Sequence, residues 1–424
     1  PPAATPPVRP IPPAPMIRSL RTGITGLRSS QLRLDVIGNN IAGVNTAGFK
    51  RSRVLFQDAL AQNISTGGRL TGQNTSMTSD VGNGVSVAAI DQVWSQGALD
   101  YTDLATDLAI AGDGFFVASS AQGNVLTRNG ATLFDADGFL VTSGGLRVQG
   151  WLAGPNGSIQ TGALRDIQVD PNATDPPVQT TSITVAGNLA SDRAVDPDDP
   201  VTMSSVVYDG TGRAFTTVFE VEKTAEGEWT VSKATLIDGD TEIDLTIANG
   251  DLTFDTDGNL TAGGAIDITG AFPDGSALAF DLDLATVTQY GGSTTTAVER
   301  QDGSAVGELV DFGFDQAGTL VLSFSNGQRR SVAQLAIGMV GNPDGLSQVG
   351  DGFYTTTAAS GDLQIGRAGS EIAAGVISGA LEASNVDLAE EFTDMIVAQR
   401  SYQANARVIT TSDELLQETV QLKR

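Results

Sequence analysis

Three stretches of the chain carry an aspartate and a glycine in one arrangement: LFDADGFLV at 133–141, TFDTDGNLT at 253–261 and GFDQAGTLV at 313–321. In the first two, Asp135 with Asp137 and Asp255 with Asp257 stand as D-x-D-G, the opening of a calcium-binding loop. Neither copy has the glutamate six residues beyond the glycine that completes such a loop. An aspartate followed by a glycine between alternating apolar residues is also a hairpin signature, and that is the reading taken here. Carboxylates are plentiful between 165 and 284, and two of them flanking a sugar would make a glycosidase pair. Spacing along the chain does not show that geometry, and a solvated acidic face is the plainer account. Histidine and cysteine are absent. Their absence removes Ser-His-Asp triads, thiolate nucleophiles, disulfides, most zinc sites and the usual general base near neutral pH. The residues therefore predict no enzyme, no cofactor and no metal.

The charge balance narrows the partners. A net charge of −26 with 17% charged residues argues against nucleic acid, whose phosphates need a basic face. No run of eighteen apolar residues is present to insert in a membrane. No apolar signal core precedes a small-residue cleavage site, so secretion would need another route. Eight of the first fifteen residues, PPAATPPVRPIPPAP, are proline. They read as an extended, disordered leader, with a proline-rich ligand as the alternative, and Met16 reads as an original start.

The remaining chemistry is that of surfaces, and two long helices must present it. Leu388, Phe392, Met395, Tyr402, Ile409, Leu416 and Val420 recur three and four apart, with Gln399, Ala406 and Asp413 in the intervening slots. This predicts a helix from about Leu381 to Arg424, roughly 66 Å long, with Ser384 and Asn385 as caps, early acids and terminal Lys423 and Arg424. Near the other end Ile17, Leu20, Ile24, Leu27, Gln31, Leu34 and Ile41 follow the same rhythm. Gln31 and Gln399 each fill a seam slot, where a buried polar residue fixes register. Residues 1–53 hold eight bases against one acid, and 381–424 hold eight acids against four bases. The two helices are therefore expected to pair, antiparallel or side by side.

Between them the chain reads as β. Residues 46–84 form a linker, its Gly/Ser/Thr-rich part 64–84 flexible. A core β domain occupies 85–164 and resumes at 285–380. The segment 165–284 holds twenty-three of the fifty acids and only five bases, and reads as an inserted, acidic outer β domain. The fold class is mainly β with terminal helices: nested β domains flanked by coiled-coil-like helices at 16–45 and 381–424. Two helices cannot bury their seams alone. Copies stacked side by side would bury them, and a head-to-tail contact that does not close gives a helical filament.

Specific stretches carry a resemblance. They are GITGLRSSQLRLDVIGNNIAGVNTAGFKRSR, then DLAIAGDGFFVASS with LTRNGATLFDADGFLVTSGGLRVQGW, then SNGQ and GALEASNVDLAEEFTDMIVAQRSYQANARVITTSDELLQ. The sequence resembles the family of bacterial flagellar axial proteins, which build rod, hook and filament junction. The positions that carry the family motif are Asn39, Asn40, Asn45, Thr46, Gly48, Phe49 and Lys50 at one end. At the other they are Ser384, Asn385, Val386, Asp387, Gln399, Arg400, Tyr402 and Asn405. The acidic insert carries little signature, and residues 1–15 depart from the family pattern. The resemblance implies export unfolded through the flagellar type III apparatus and assembly beneath a hook cap. It implies a curved helical tube, the flagellar hook, outside the cell, with the terminal helices as its inner tube. The tube would join rod to filament junction as a universal joint. Length and the large insert favour hook over distal rod. A phage-tail or adhesin β fibre is the rival, set back by the paired terminal helices.

Overall fold

A computed structural model of the chain describes residues 15–59, 62–64, 79–81, 84–154 and 157–422. The proline-rich leader up to residue 14 lies outside the described residues, as do 65–78 of the expected flexible segment and the terminal Lys423 and Arg424. Helix α1 spans Pro15–Ala42 and ends in a 3-10 turn, Gly43–Asn45. Helix α2 spans Leu388–Gln421. Between them, among the described residues, the regular structure is strand apart from the short 3-10 turn Pro343–Gly345.

Helix α2 starts later than its sequence pattern indicates. Ala380–Glu382 is a strand paired with Leu99–Tyr101, which commits that backbone to a sheet. Ser384 and Asn385 precede the helix rather than cap it. The cap is Asp387, whose carboxylate accepts from the N–H groups of Ala389 and Glu390. The helix is then about 51 Å long rather than 66 Å.

The stretch 46–84 is more ordered than a linker. Ser52–Asp58 pairs antiparallel with Val85–Gln92, and Gln62–Ile64 pairs with Ser79–Val81. The first pair is a ribbon lying along α1, where the Val85 N–H donates to Thr25 Oγ1 at 3.4 Å.

The chain divides into two compact units. One comprises the chain up to Gln168, Gly313–Leu320 and Ser331 onward; the other comprises Val169–Phe312 and Val321–Arg330. In the first, Phe115–Ser120 pairs with Gly123–Thr127 and with Arg147–Leu152. Phe353–Thr355 extends the sheet beside Gly123–Thr127. Its core holds Phe115, Val117, Leu126, Trp151 and Tyr354. Trp94 stands edge-on to Phe115 at 5.3 Å and to Tyr354 at 5.1 Å.

The second unit encloses one large apolar core, including Phe219, Trp229, Leu236, Phe280 and Leu282, between a five-stranded and a six-stranded sheet. Strands such as Val201–Tyr208 alternate buried and exposed residues, the pattern of a sheet with one wet face. This unit does not end at 284. Ala277–Thr288 and Ala297–Gln301 both pair with Ser182–Asn188, so the segment to Phe312 belongs to the insert. At its other boundary, Arg165–Asp166 pairs with Arg147–Leu152 in the first unit.

The three aspartate–glycine repeats are turns. In each, one carboxylate oxygen (of Asp135, Asp255 or Asp315) accepts from the N–H groups two and four residues ahead. The glycines, Gly138, Gly258 and Gly318, sit at φ 80, 81 and 72, where a side chain is strained. A fourth copy, built on Asp209 and Gly212 at φ 84, has the same bonds. These carboxylates cap the backbone of their own turns, the role expected of a hairpin motif.

Candidate assembly interface

Helices α1 and α2 lie antiparallel. Ser19 Oγ is 3.2 Å from Ser412 Oγ, and Ser30 Oγ is 3.2 Å from Ser401 Oγ. Asn40 Nδ2 donates to Glu391 Oε1 at 3.1 Å, and Arg33 pairs with Asp394 at 3.0 Å. The contact is made by small residues. A Cβ added to Gly26 would meet the Asn405 amide nitrogen at 2.7 Å. One added to Gly23 would lie 3.1 Å from Ile409 Cγ1. Gly23, Ser29, Ser30, Ile37, Ala398 and Ser412 are buried. Where glycine, serine and alanine meet, the helices approach closely and hydroxyls bond across the seam.

Positions 19, 23, 26, 30, 33, 37 and 40 thus face positions 391, 394, 398, 401, 405 and 412. This is the expected heptad rhythm moved by one residue on both helices. The apolar seam read from the sequence is the adjacent stripe, about 100° further round. Along it Ile24, Gln31, Leu388, Phe392, Gln399 and Tyr402 are exposed. Leu20, Leu27, Leu34, Ile41, Met395, Ile409 and Leu416 are half-buried. The side chain of Ile17 lies outside the described residues. Gln31 and Gln399 are therefore not a buried register pair, and the serine and asparagine contacts set register instead. Phe392 is 51% exposed and Ile396 54%, with Leu388 and Tyr402 beside them on α2. A run of large apolar side chains is left facing water beside a seam that is already packed.

The family-motif residues hold the foot of this helix pair. Asn40 Oδ1 accepts from the Ser52 N–H at 2.9 Å, and its Nδ2 also donates to the Ser52 carbonyl at 2.8 Å, pinning the ribbon to α1. Phe49 packs its ring over Gly43, where a Cβ would come within 2.6 Å. Gly48 has φ 69 and lies so near the Arg128 backbone that a Cβ would meet it at 2.5 Å. Asn385 Oδ1 accepts from the Arg51 N–H at 2.8 Å, and its Nδ2 donates to the Val93 carbonyl at 2.7 Å. Ser384 Oγ accepts from the Val386 N–H, leading into the Asp387 cap. Asn39, Asn45, Thr46 and Arg400 are exposed. Asn405 packs on Gly26.

Beneath this lies a buried charge cluster that hydropathy reading missed. Lys50 Nζ lies 2.6 Å from Glu382 Oε1 and donates to the Ser95 carbonyl at 2.8 Å. Arg128 Nη1 stands 3.3 Å from Glu382 Oε2. The Gly97 N–H also donates to Glu382 Oε1, at 2.9 Å. Both the Lys50 and Glu382 side chains are 1% exposed. Burial pushes the Lys50 ammonium below its ordinary range, against the pull of Glu382, and burial lowers the Arg128 guanidinium likewise. Burial pushes the Glu391 carboxyl up, against the Asn40 hydrogen bond and the Arg51 charge. The sequence marks Lys50 as a motif position and Glu382 only as part of the stretch that reads as the start of the C-terminal helix, so nothing joins them to Arg128.

Among the described residues no group of three or more acids is placed to hold a metal ion, and no helix is long and apolar enough to cross a membrane.

Comparison with known proteins places the chain among the axial proteins of the flagellum. The chain belongs to the flagellar hook protein family. It is 36% identical to the flagellar hook protein FlgE of Borreliella burgdorferi over 446 residues, covering 96% of this chain and 100% of that one. It is 35% identical to the same-named protein of Treponema pallidum and 34% to that of Salmonella typhimurium, again over 96% of this chain and 100% of each relative. Residues 20–50 match the family described as Flagella basal body rod protein. Residues 109–189 match the Flagellar hook protein FlgE/F/G D1 domain, and 182–304 the Flagellar basal body protein FlaE D2 domain. Residues 377–422 match Flagellar basal body rod FlgEFG protein C-terminal. Among solved structures, that of Helicobacter pylori flagellar hook protein FlgE2 aligns with a TM-score of 0.50 at 14% identity, over 67% of this chain and all of that one, a likeness of fold.

Proposed function

We propose that the chain polymerises through its paired terminal helices into the flagellar hook, a curved tube outside the cell that passes torque from rod to filament. The observation that carries this is the bare stripe of Leu388, Phe392, Ile396 and Tyr402 beside a seam already closed by small residues. One face of the hairpin satisfies its own chain, and the next face is left for another copy. The inter-subunit set is then the stripe of Ile24, Leu27, Leu34, Phe392, Met395 and Tyr402, with Gln31 and Gln399 at its polar steps. Full-length similarity to proteins named as hook proteins favours hook over distal rod. The absence of cysteine suits a substrate of the type III export apparatus, which passes unfolded chains. The rod, the hook cap and the hook–filament junction proteins are the neighbours this role requires.

The test is electron microscopy of purified protein under polymerising conditions. Phe392→Asp places a charge where a second copy would desolvate it, and should abolish tubes while leaving the core around Trp229 folded. Ile409, which touches Gly23, is less suitable because its change also opens the hairpin. Tubes at undiminished yield from Phe392→Asp would reject this assignment of the stripe.

A further inference from the structure

The sequence holds five Asn-Gly pairs, beginning at Asn83, Asn129, Asn156, Asn249 and Asn326. An asparagine followed by glycine can react with its own backbone. The glycine has no side chain to shield its nitrogen, and the asparagine side chain places a carbonyl carbon within a five-membered ring of it. Asn83 and Asn156 lie outside the described residues. The other three differ sharply in how their side chains are held.

Asn129 Oδ1 accepts from the Ala131 N–H at 3.0 Å, and its Nδ2 donates to Ser143 Oγ at 3.2 Å. Asn326 Nδ2 donates to the Ala305 carbonyl at 2.9 Å and to Asp175 Oδ2 at 3.1 Å, and its Oδ1 accepts from the Gln328 N–H at 3.0 Å. Both amides are tied at each end. Asn249 is exposed, forms no side-chain hydrogen bond among the described residues, and sits at φ 58, the left-handed region that asparagine adopts more readily than other side chains. Gly250 after it is anchored through its carbonyl, which accepts from the Val231 N–H at 2.8 Å, while its own N–H donates to no group. The nucleophile is held but unoccupied, and the electrophile is free to rotate.

We infer that Asn249 is a site of spontaneous deamidation in the folded subunit. The Gly250 main-chain nitrogen bonds to Asn249 Cγ, losing its proton. The Cγ–Nδ2 bond breaks and ammonia leaves, giving a succinimide. Water then opens the ring at either carbonyl, yielding aspartate or isoaspartate. Each event exchanges a neutral amide for a carboxylate in the most acidic part of the chain. The isoaspartate product also lengthens the main chain by one carbon between two strands, Thr246–Ala248 and Asp251–Phe254, that belong to different sheets.

The test is incubation of the full chain in mildly alkaline buffer, followed by peptide mapping with fragmentation that separates aspartate from isoaspartate. Asn249 should convert at least about five-fold faster than Asn129 or Asn326, the factor set by one side-chain hydrogen bond's restraint. In denaturant the three should convert at similar rates, since all then share the same local chemistry. Equal rates in the folded chain, or slower conversion at Asn249, would overturn the proposal. Gly250→Ala is a poor control, because its Cβ would approach the Val231 carbonyl oxygen at 2.9 Å; Asn249→Gln keeps the amide, disfavours the five-membered ring, and should abolish the signal from that peptide alone.

Discussion

Replacing Glu382 by glutamine removes one negative charge from the Lys50–Glu382–Arg128 cluster and nearly no volume. The wild-type carboxylate faces Lys50 at 2.6 Å and Arg128 at 3.3 Å, with both cations at most 5% exposed. Glutamine can still accept from the Gly97 N–H, so the loss is electrostatic. Breaking a buried ion pair by removing one partner costs about 3–5 kcal/mol, because the remaining charge stays desolvated. An exposed pair such as Arg33–Asp394, whose side chains are 37% and 44% exposed, contributes about 1 kcal/mol or less. The first compact unit carries Trp94 and Trp151, and the second carries Trp229. Urea unfolding followed by tryptophan fluorescence in a Trp229→Phe background therefore reads the first unit. With a slope of about 2 kcal/mol per molar urea, the midpoint should fall by roughly 1.5–2.5 M. The loss should grow as pH falls below the ordinary lysine value of about 10.4. Burial already lowers the Lys50 pKa, and without Glu382 to raise it the folded-state value drops further. A folded pKa below the unfolded one contributes stability at high pH that is lost as pH falls through the folded value. A Lys50→Met, Glu382→Gln double variant should recover part of the loss. A midpoint shift under about 0.5 M, the size of a surface pair, would refute the assignment of this cluster as the anchor of the helix pair.

Two further outcomes follow from the geometry. Gly26→Leu forces the helices apart where a Cβ alone would meet the Asn405 amide at 2.7 Å; backbone amide exchange along α1 should rise to fully unprotected rates while the second unit keeps its protection. Asp209 is pulled up by burial, but hydrogen bonds from Thr211 and Arg213 overcome this and hold it at about 2. Its contribution is complete above the ordinary carboxylate pKa of about 4 and is lost as pH falls toward 2, so the Trp229 transition should weaken over that window and Asp209→Asn should flatten the slope.

The helices, the strand-rich middle and the turn repeats were legible because each leaves a strong periodic or compositional mark. The seam was displaced by one residue for a physical reason. Apolar periodicity marks the stripe that water disfavours, and in α2 that stripe holds Phe392 and Tyr402. The face that packs within the chain is written in Gly23, Gly26, Ser30, Ala398 and Ser401, whose small size permits contact but leaves no hydropathy signal. The start of α2 was misplaced because residues 381–387 suit a helix locally, and only the pairing of Ala380–Glu382 with Leu99–Tyr101 overrides them. The Lys50 cluster was invisible since its members lie at 50, 128 and 382, and nothing local marks a charge as buried. The inserted unit was underestimated at its far edge because Ala297–Gln301 reaches back more than a hundred residues to its partner.

The serine contact joining the two ends of the chain spans a sequence separation of 393 residues. Loop closure over such a distance is entropically costly and comes late. A chain emerging from its N-terminus exposes α1 first and must wait for its last forty residues before the seam can close. The β bodies can condense in the interval from their own nearer contacts. The hairpin therefore depends on both helices: a chain lacking α2 has no partner for α1.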